Sequence, residues 1–287
     1  TLLLQRIDRF LSAGITTLEV KSGYGLSIPS ELKMLRVIKA ASQKTAMDLI
    51  PTCLAAHTLP KDFDGAPAAY LEMLIENLLP RLLEEQLTQR LDAFVENSAF
   101  TPAEIIPYLS AGKALGFDLT VHADQFTTGG SEAAIRCGAL SADHLEASTK
   151  KEVNALAQSD VVATALPGAS LGLGCGFTPA RALLDAGACL AIASDYNPGS
   201  APMGDLLTQA SILGAFEKLS NAEVLSGITF RAGAALKKTD RGRLLPGFRA
   251  DLTIFPTGHF NEILYHQGQL RPSAVWKGGT CVVDKNA

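Results

Sequence analysis

No run of about 18 uncharged apolar residues occurs in the 287-residue sequence, so it offers no membrane-spanning helix. It also lacks a basic block or a basic stripe interleaved with aromatics. The positive charges are scattered and the formal charge is −4, which excludes nucleic acid as the expected partner. Cysteine is scarce and poorly spaced for bridging. Cys53, Cys137, Cys175, Cys189 and Cys281 are odd in number, far apart and never C-x-x-C, which excludes a disulfide framework and a zinc finger. They read as reduced thiols of a cytoplasmic protein, most of them small buried hydrophobes. No G-x-G-x-x-G turn joins an early strand to a helix, against a dinucleotide fold. The stretch GLGCG (172–176) reads only as a glycine-rich loop after a strand. The opening TLLLQRIDRFLSAG has no basic leader and no small-residue cleavage site, and is not read as a signal peptide.

What is present is an alternation. With 47% hydrophobic and 19% charged residues the composition is that of a soluble globular protein. Seven short apolar runs read as strands: ITTLEV (15–20), MDLIPTCLAA (47–56), LDAFVEN (91–97), DLTVHAD (118–124), ALSADHL (139–145), VVATALP (161–167) and CLAIASD (189–195). Amphipathic segments such as SELKMLRVIKAA, PAEIIPYLSAGKALG and TPARALLDAG lie between them, as expected of parallel βα units. The first residues are helical in period, with Leu3, Ile7, Phe10 and Leu11 on one face and Gly14 as the stop. A closed (β/α)₈ barrel needs eight strands. The expectation is therefore a TIM-like barrel of seven strands whose first strand lies upstream of Thr1, rather than a doubly wound sheet. After about residue 235 the rhythm changes. RGRLLPGFRADLTIF and SAVWKGGTCVVD read as short strands with Gly and Pro turns and no helical period between them. We expect a barrel over 1–235 and part of a small β-sandwich over 236–287.

Barrel active sites gather at the carboxyl ends of the strands. Tyr24 follows the first run; His57 ends the second, Glu96 and Asn97 the third, and His122 and Asp124 the fourth. Asp143 and His144 end the fifth, and Asp195 the seventh. Singly, each is a turn, cap or hydrogen-bonded structural residue. Three of the five histidines and an aspartate recurring at one end of successive strands are a different matter, because imidazole and carboxylate are the ligand set of a catalytic zinc or iron.

EVKSGYGL, PTCLAAHTLP, VHADQF, SADHLE and ASDYNPGS, in this order, resemble the imidazolonepropionase family of the amidohydrolase superfamily, and LLPGFRADLTIF is similar to the closing strands of the superfamily's small β-domain. The resemblance implies one zinc or iron ion held by an H-x-H pair on the first barrel strand, His122 on the fifth and Asp195 on the eighth. No two histidines here are two apart, so the H-x-H pair is expected upstream of Thr1. It further implies that His144 is catalytic without being a ligand and that Asp195 also handles protons. Tyr24, His57, Gln125, Asn197, Gly199 and Ser200 are implied to contact the substrate. Gln125 stands where some members carry glutamate, and an amide cannot take a proton. The implied reaction is hydrolysis of 4-imidazolone-5-propanoate to N-formimino-L-glutamate by a homodimeric enzyme acting on this small molecule. Another cyclic amide hydrolase or a ring deaminase of the same superfamily, and a metal-free binding scaffold should the H-x-H strand be absent, are the alternatives.

Overall fold

Each apolar run folds as a strand of one sheet. In the computed structural model, which describes residues 2–285, these are β1 (Thr17–Lys21), β2 (Asp48–Ala56), β3 (Arg90–Phe94), β4 (Asp118–Ala123), β5 (Ser141–His144), β6 (Val162–Ala165) and β7 (Leu190–Ile192). All neighbours are parallel and the spatial order equals the chain order. A doubly wound sheet would reverse its order part-way; this one advances steadily, as a curled barrel sheet does. β1 and β7 are its two edges.

Helices cover the outer face through regular apolar stripes. Helix Ile28–Ser42 buries Leu32, Leu35, Ile38 and Ala41, three residues apart, and helix Leu2–Ser12 buries Ile7, Phe10 and Leu11. Three helices begin with reciprocal capping boxes written in the sequence: Thr101 with Glu104, Thr149 with Glu152, and Ser220 with Glu223.

The inner face of the sheet is polar. Thr52, Asp92, Thr120, Ser141, Asp143 and Thr164 are buried, and where one strand supplies two polar residues, as with Thr120 and His122 or Ser141 and Asp143, they are two positions apart. Register pairs Asp92 with Thr120, and Thr120 with Ser141. The hydroxyls of the latter pair are 2.6 Å apart, and Ser141 Oγ donates to Asp143 Oδ1 at 2.8 Å. Buried polar atoms are costly unless paired, and here they pair across strands.

Beyond the barrel sheet, β8 (Leu252–Ile254), β9 (Ala274–Lys277) and β10 (Thr280–Asp284) form an antiparallel sheet in the order β10-β9-β8. Gly278 and Gly279, both at positive φ, make the two-residue hairpin between β9 and β10. Two expectations are corrected. A helix, Asn261–Tyr265, separates β8 from β9; five residues are too few to show a period, and only Leu264 is buried. GLGCG is not a free loop: Gly172 and Leu173 finish helix Pro167–Leu173, and Gly174 is its left-handed cap. Among the described residues no helix is long and apolar enough to cross a membrane.

An ion cluster ties this small sheet to the start of β2. Asp48 Oδ2 accepts from Arg249 Nη1 at 2.8 Å, from Lys277 Nζ at 2.9 Å and from Arg241 Nη1. Burial pushes the Asp48 carboxyl up, but its bonds to Lys277 and Arg241 outweigh burial and hold it below its ordinary value. Asp48→Asn should therefore cost about 1–2 kcal/mol at neutral pH, at the low end for charged hydrogen bonds because the carboxylate is partly exposed and screened. A depressed folded pKa means that this stability is present above the unfolded value, near 4, and is lost as pH falls through the lower folded value. Urea melts of wild type and variant should differ at pH 7 and converge in acid; a gap unchanged at the lowest pH at which both fold would contradict the assignment.

Candidate active site

A cavity of about 1870 Å³ opens at the carboxyl ends of the strands and runs down between the β1 and β7 edges. Its extent exceeds the roughly 300–1,000 Å³ of an ordinary ligand pocket because the seam between those edges is part of it. Every residue that the family resemblance assigns to the site lines it: Tyr24, His57, His122, Gln125, His144, Asp195, Asn197, Gly199 and Ser200.

His122 sits at the end of β4, in register with Phe94 of β3 and Asp143 of β5. Its Nδ1 lies 3.1 Å from Asp92 Oδ1. A carboxylate accepts at that distance, so Nδ1 carries the proton and Nε2 keeps the lone pair. This is the arrangement in which a metal-ligating histidine is held. Lys21 Nζ in turn donates to Asp92 Oδ2 at 2.6 Å and to Asp143 Oδ2 at 3.0 Å. Asp92, His122 and Asp143 are close enough to share a cation, but the Lys21 ammonium already serves both carboxylates. The donor left for a metal is His122 Nε2.

The electrostatics agree. One lysine against two aspartates leaves a single net negative charge around His122. Burial alone would lower the imidazole pKa, but the Asp92 carboxylate overrides it and the net shift is upward. Burial would likewise raise Asp92 and Asp143; for Asp92 the charges of His122 and Lys21, and for Asp143 that of Lys21, outweigh it and hold both below the usual carboxylate range. The site favours positive charge beside His122, which fits a zinc or iron ion on nitrogen and oxygen donors.

His144 and Asp195 reach the cavity through unusual backbone. On a regular strand the neighbours Asp143 and His144 would face opposite sides, yet both line the cavity. The φ of His144 is +85° and that of Leu145 is +71°, so the strand ends in a turn that swings the imidazole inward. Asp195, three residues past the end of β7, has φ +46°. Left-handed non-glycine residues cost of order 1–3 kcal/mol each and cluster at functional sites. Asn197 Nδ2 donates to Asp195 O at 2.7 Å and to Asp195 Oδ2 at 3.0 Å, leaving Oδ1 open. Gly199 N and Ser200 N both donate to Asn197 Oδ1, at 2.8 and 2.7 Å. Those amides are engaged within the loop, and the Ser200 hydroxyl also meets Asn197, accepting from Nδ2 at 3.1 Å and donating to Oδ1 at 3.4 Å, the longest of these contacts.

Tyr24 projects from a loop wrapped around one buried carboxylate. Glu31 accepts from Gly23 N, Gly25 N and Leu26 N at 2.8–2.9 Å. Gly23 has φ +109°, and a Cβ on Gly25 would lie 2.7 Å from Ser30 Cβ, so both glycines are required. Burial, then the Asp195 charge, pushes the Tyr24 phenol up. Tyr24 packs edge-on against His57, whose ring centroid is 5.6 Å away. His57 donates Nδ1–H to Gly23 O at 2.8 Å, and burial lowers its pKa despite that bond. His57 is thus a neutral ring at pH 7 with Nε2 free.

Glu96 and Asp124 do not line the cavity. Glu96 accepts from Phe126 N and Thr127 N at 3.0 Å, and Asp124 accepts from Gly129 N, Ser131 N and Ser148 Oγ. They brace the loop that carries Gln125. Glu31 and Asp92 escaped the reading of strand ends because Glu31 acts from the start of a helix and Asp92 from the middle of β3; Lys21 does end β1, but a lysine is no part of the histidine and carboxylate pattern that was read. A lone aspartate inside the apolar run LDAF was the available signal for Asp92.

A profile described as the amidohydrolase family matches residues 1–283. The imidazolonepropionase of Alkaliphilus oremlandii is 38% identical over 282 residues, 97% of this chain and 67% of that protein. The imidazolonepropionase of Deinococcus deserti is 40% identical over 278 residues, covering 96% and 68%; that of Bacillus cytotoxicus is 37% identical over 276 residues, covering 95% and 65%. The chain thus spans about two thirds of the length of these relatives. Solved structures share the fold at low identity. An adenosine deaminase from Xanthomonas campestris with bound zinc has a TM-score of 0.74 at 19% identity, covering 97% of this chain and 68% of that one. A triazine hydrolase from Arthrobacter aurescens has a TM-score of 0.78 at 16% identity, covering 98% and 70%.

Proposed function

We propose, from the premise that this chain belongs to the amidohydrolase family and within it to the imidazolonepropionases, that it hydrolyses 4-imidazolone-5-propanoate to N-formimino-L-glutamate in histidine degradation. The observation that carries the reading is convergence. Side chains from at or beyond the ends of β1, β2, β4, β5 and β7 line one cavity, with a nitrogen donor, a carboxylate and the pair Tyr24 and His57 among them.

In this reading His122 Nε2 and the open oxygen of Asp195 would hold a zinc or iron ion. When bound, the ion supplies a Lewis acid that lowers the pKa of water from ~16 to about 7. Two further ligands, the H-x-H pair, are not among the 287 residues, and the seam between β1 and β7 is where a strand carrying them would stand. Hydroxide adds to the ring carbonyl carbon, the carbon–nitrogen bond of the cyclic amide breaks, and the ring nitrogen gains a proton. Asp195 accepts the proton of the water on Oδ2, which has a second lone pair beside the one Asn197 engages, and delivers it to that nitrogen, a general base and then a general acid. His144 Nε2 accepts from the water and so orients the nucleophile, and in its protonated form it donates to the carbonyl oxygen on which charge develops. Tyr24, kept protonated by its raised pKa, donates to the substrate, and the free Nε2 of His57 accepts from it. Gln125 donates and accepts at the ring edge, and the Ser200 hydroxyl meets the propanoate. We divide the chain into a barrel over 1–235 and the small β-domain over 236–287. A homodimer in a reducing cytoplasm completes the proposal; none of the five cysteines is paired.

The test is a substrate panel on the metal-loaded protein expressed from its whole reading frame. Hydrolysis of 4-imidazolone-5-propanoate should exceed that of adenosine or an aminotriazine by at least about 10³-fold in kcat/KM, since a site built to hydrogen-bond specific polar groups rejects rings lacking them. Preferential release of ammonia from a ring amine would turn the assignment to a deaminase.

A further inference from the structure

His144 and Glu146 each leave one buried polar atom without a hydrogen bond: Nδ1 of the imidazole and Oε2 of the carboxylate. The two atoms are 3.6 Å apart, and both side chains are 3% exposed. Each unpaired buried group costs about 1–3 kcal/mol. Here each orphan faces its natural complement, and a shift of about half an ångström would bring them to ordinary N–H···O distance. The surroundings already hold both residues for it. Ser170 Oγ, itself buried, donates to Glu146 Oε1 at 2.9 Å, and Thr178 Oγ1 donates to His144 O. The successive positive φ angles of His144 and Leu145 fold the chain back, so that a residue two positions on comes beside the ring.

We propose that Glu146 is a positioning residue for His144. Its carboxylate takes the Nδ1 proton, fixes the neutral ring in the tautomer whose Nε2 lone pair faces the cavity, and balances the charge when Nε2 is protonated. Carboxylate, imidazole and reacting group then stand in the relation by which an acidic residue orients a catalytic histidine elsewhere. The inference rests on the reading of His144 as catalytic, and its test separates the two.

Glu146→Ala, Glu146→Gln and His144→Ala are compared with wild type in the metal-loaded protein from the whole reading frame, with ¹⁵N-labelled histidine. In wild type, the His144 resonances should show Nδ1 protonated and Nε2 bare; in Glu146→Ala, a mixture of tautomers. The alanine variant should lose about 10²–10³-fold in kcat, keep KM within about threefold and keep its metal. Glu146→Gln, which fills the same space and can still accept, should retain the tautomer and lose less turnover, and stands in if the alanine variant does not fold. An unchanged tautomer in Glu146→Ala, or kcat within threefold of wild type there while His144→Ala is inactive, overturns the proposal. Full activity in His144→Ala would instead overturn the catalytic reading of His144, and the tautomer spectra would still decide the bond.

Discussion

Asp195→Asn should lower kcat by at least about 10³-fold in the metal-loaded protein from the whole reading frame. Asparagine keeps the shape and the contact with Asn197, which the wild-type carboxylate receives at 3.0 Å. It cannot accept a proton, and it is a poorer ligand than a carboxylate for a hard or borderline cation. Two contributions are lost together: general acid–base transfer, typically 10²–10⁴-fold, and part of the charge that holds the ion. Metal analysis beside the kinetics separates them. A variant that retains metal yet turns over within tenfold of wild type would remove Asp195 from the proton path. The strained backbone at Asp195, with φ +46°, makes asparagine the right probe, since asparagine tolerates the left-handed region better than most residues.

The second large effect is a split between two neighbouring histidines whose ring centroids are 5.2 Å apart. His122→Ala should lose the metal, with an affinity loss well beyond the 10–100-fold that removal of a mere supporting partner costs. Asp92→Asn provides that smaller reference, because it removes no ligand but only the carboxylate that orients His122 and pairs with Lys21. His144→Ala should keep the metal and lose about 10²–10⁴-fold in turnover. Equilibrium dialysis against zinc, together with kcat, distinguishes the two roles. Metal lost in the His144 variant and retained in the His122 variant would reverse them.

The strands were legible because their signal is local. Apolar, β-branched runs alternating with helical stripes fall within three residues of the bounds of all seven strands of the barrel sheet. The capping boxes were written as T-x-x-E and S-x-x-E. The site was legible where its residues stand at strand ends, as His57, His122 and His144 do. The short helix Asn261–Tyr265 was not, since one turn carries no periodicity.

The sequence by itself determined the parallel βα order, the polar residues at the strand mouths and the absence of a membrane helix or disulfide scaffold. All of these depend on spacing along the chain. Which side chains meet was decided by tertiary structure alone. Lys21 finds Asp92 across 71 residues and Asp143 across 122, a pairing set by sheet register and curvature rather than by any local pattern. The same holds at the shortest range. Glu146 is only two residues from His144, but a regular strand would carry their side chains away in parallel, and it takes two left-handed residues in succession to bring the carboxylate beside the ring. Spacing fixes the face of an element on which a residue lies; register and backbone turns decide its partner, and the chemistry of this site resides in those partners.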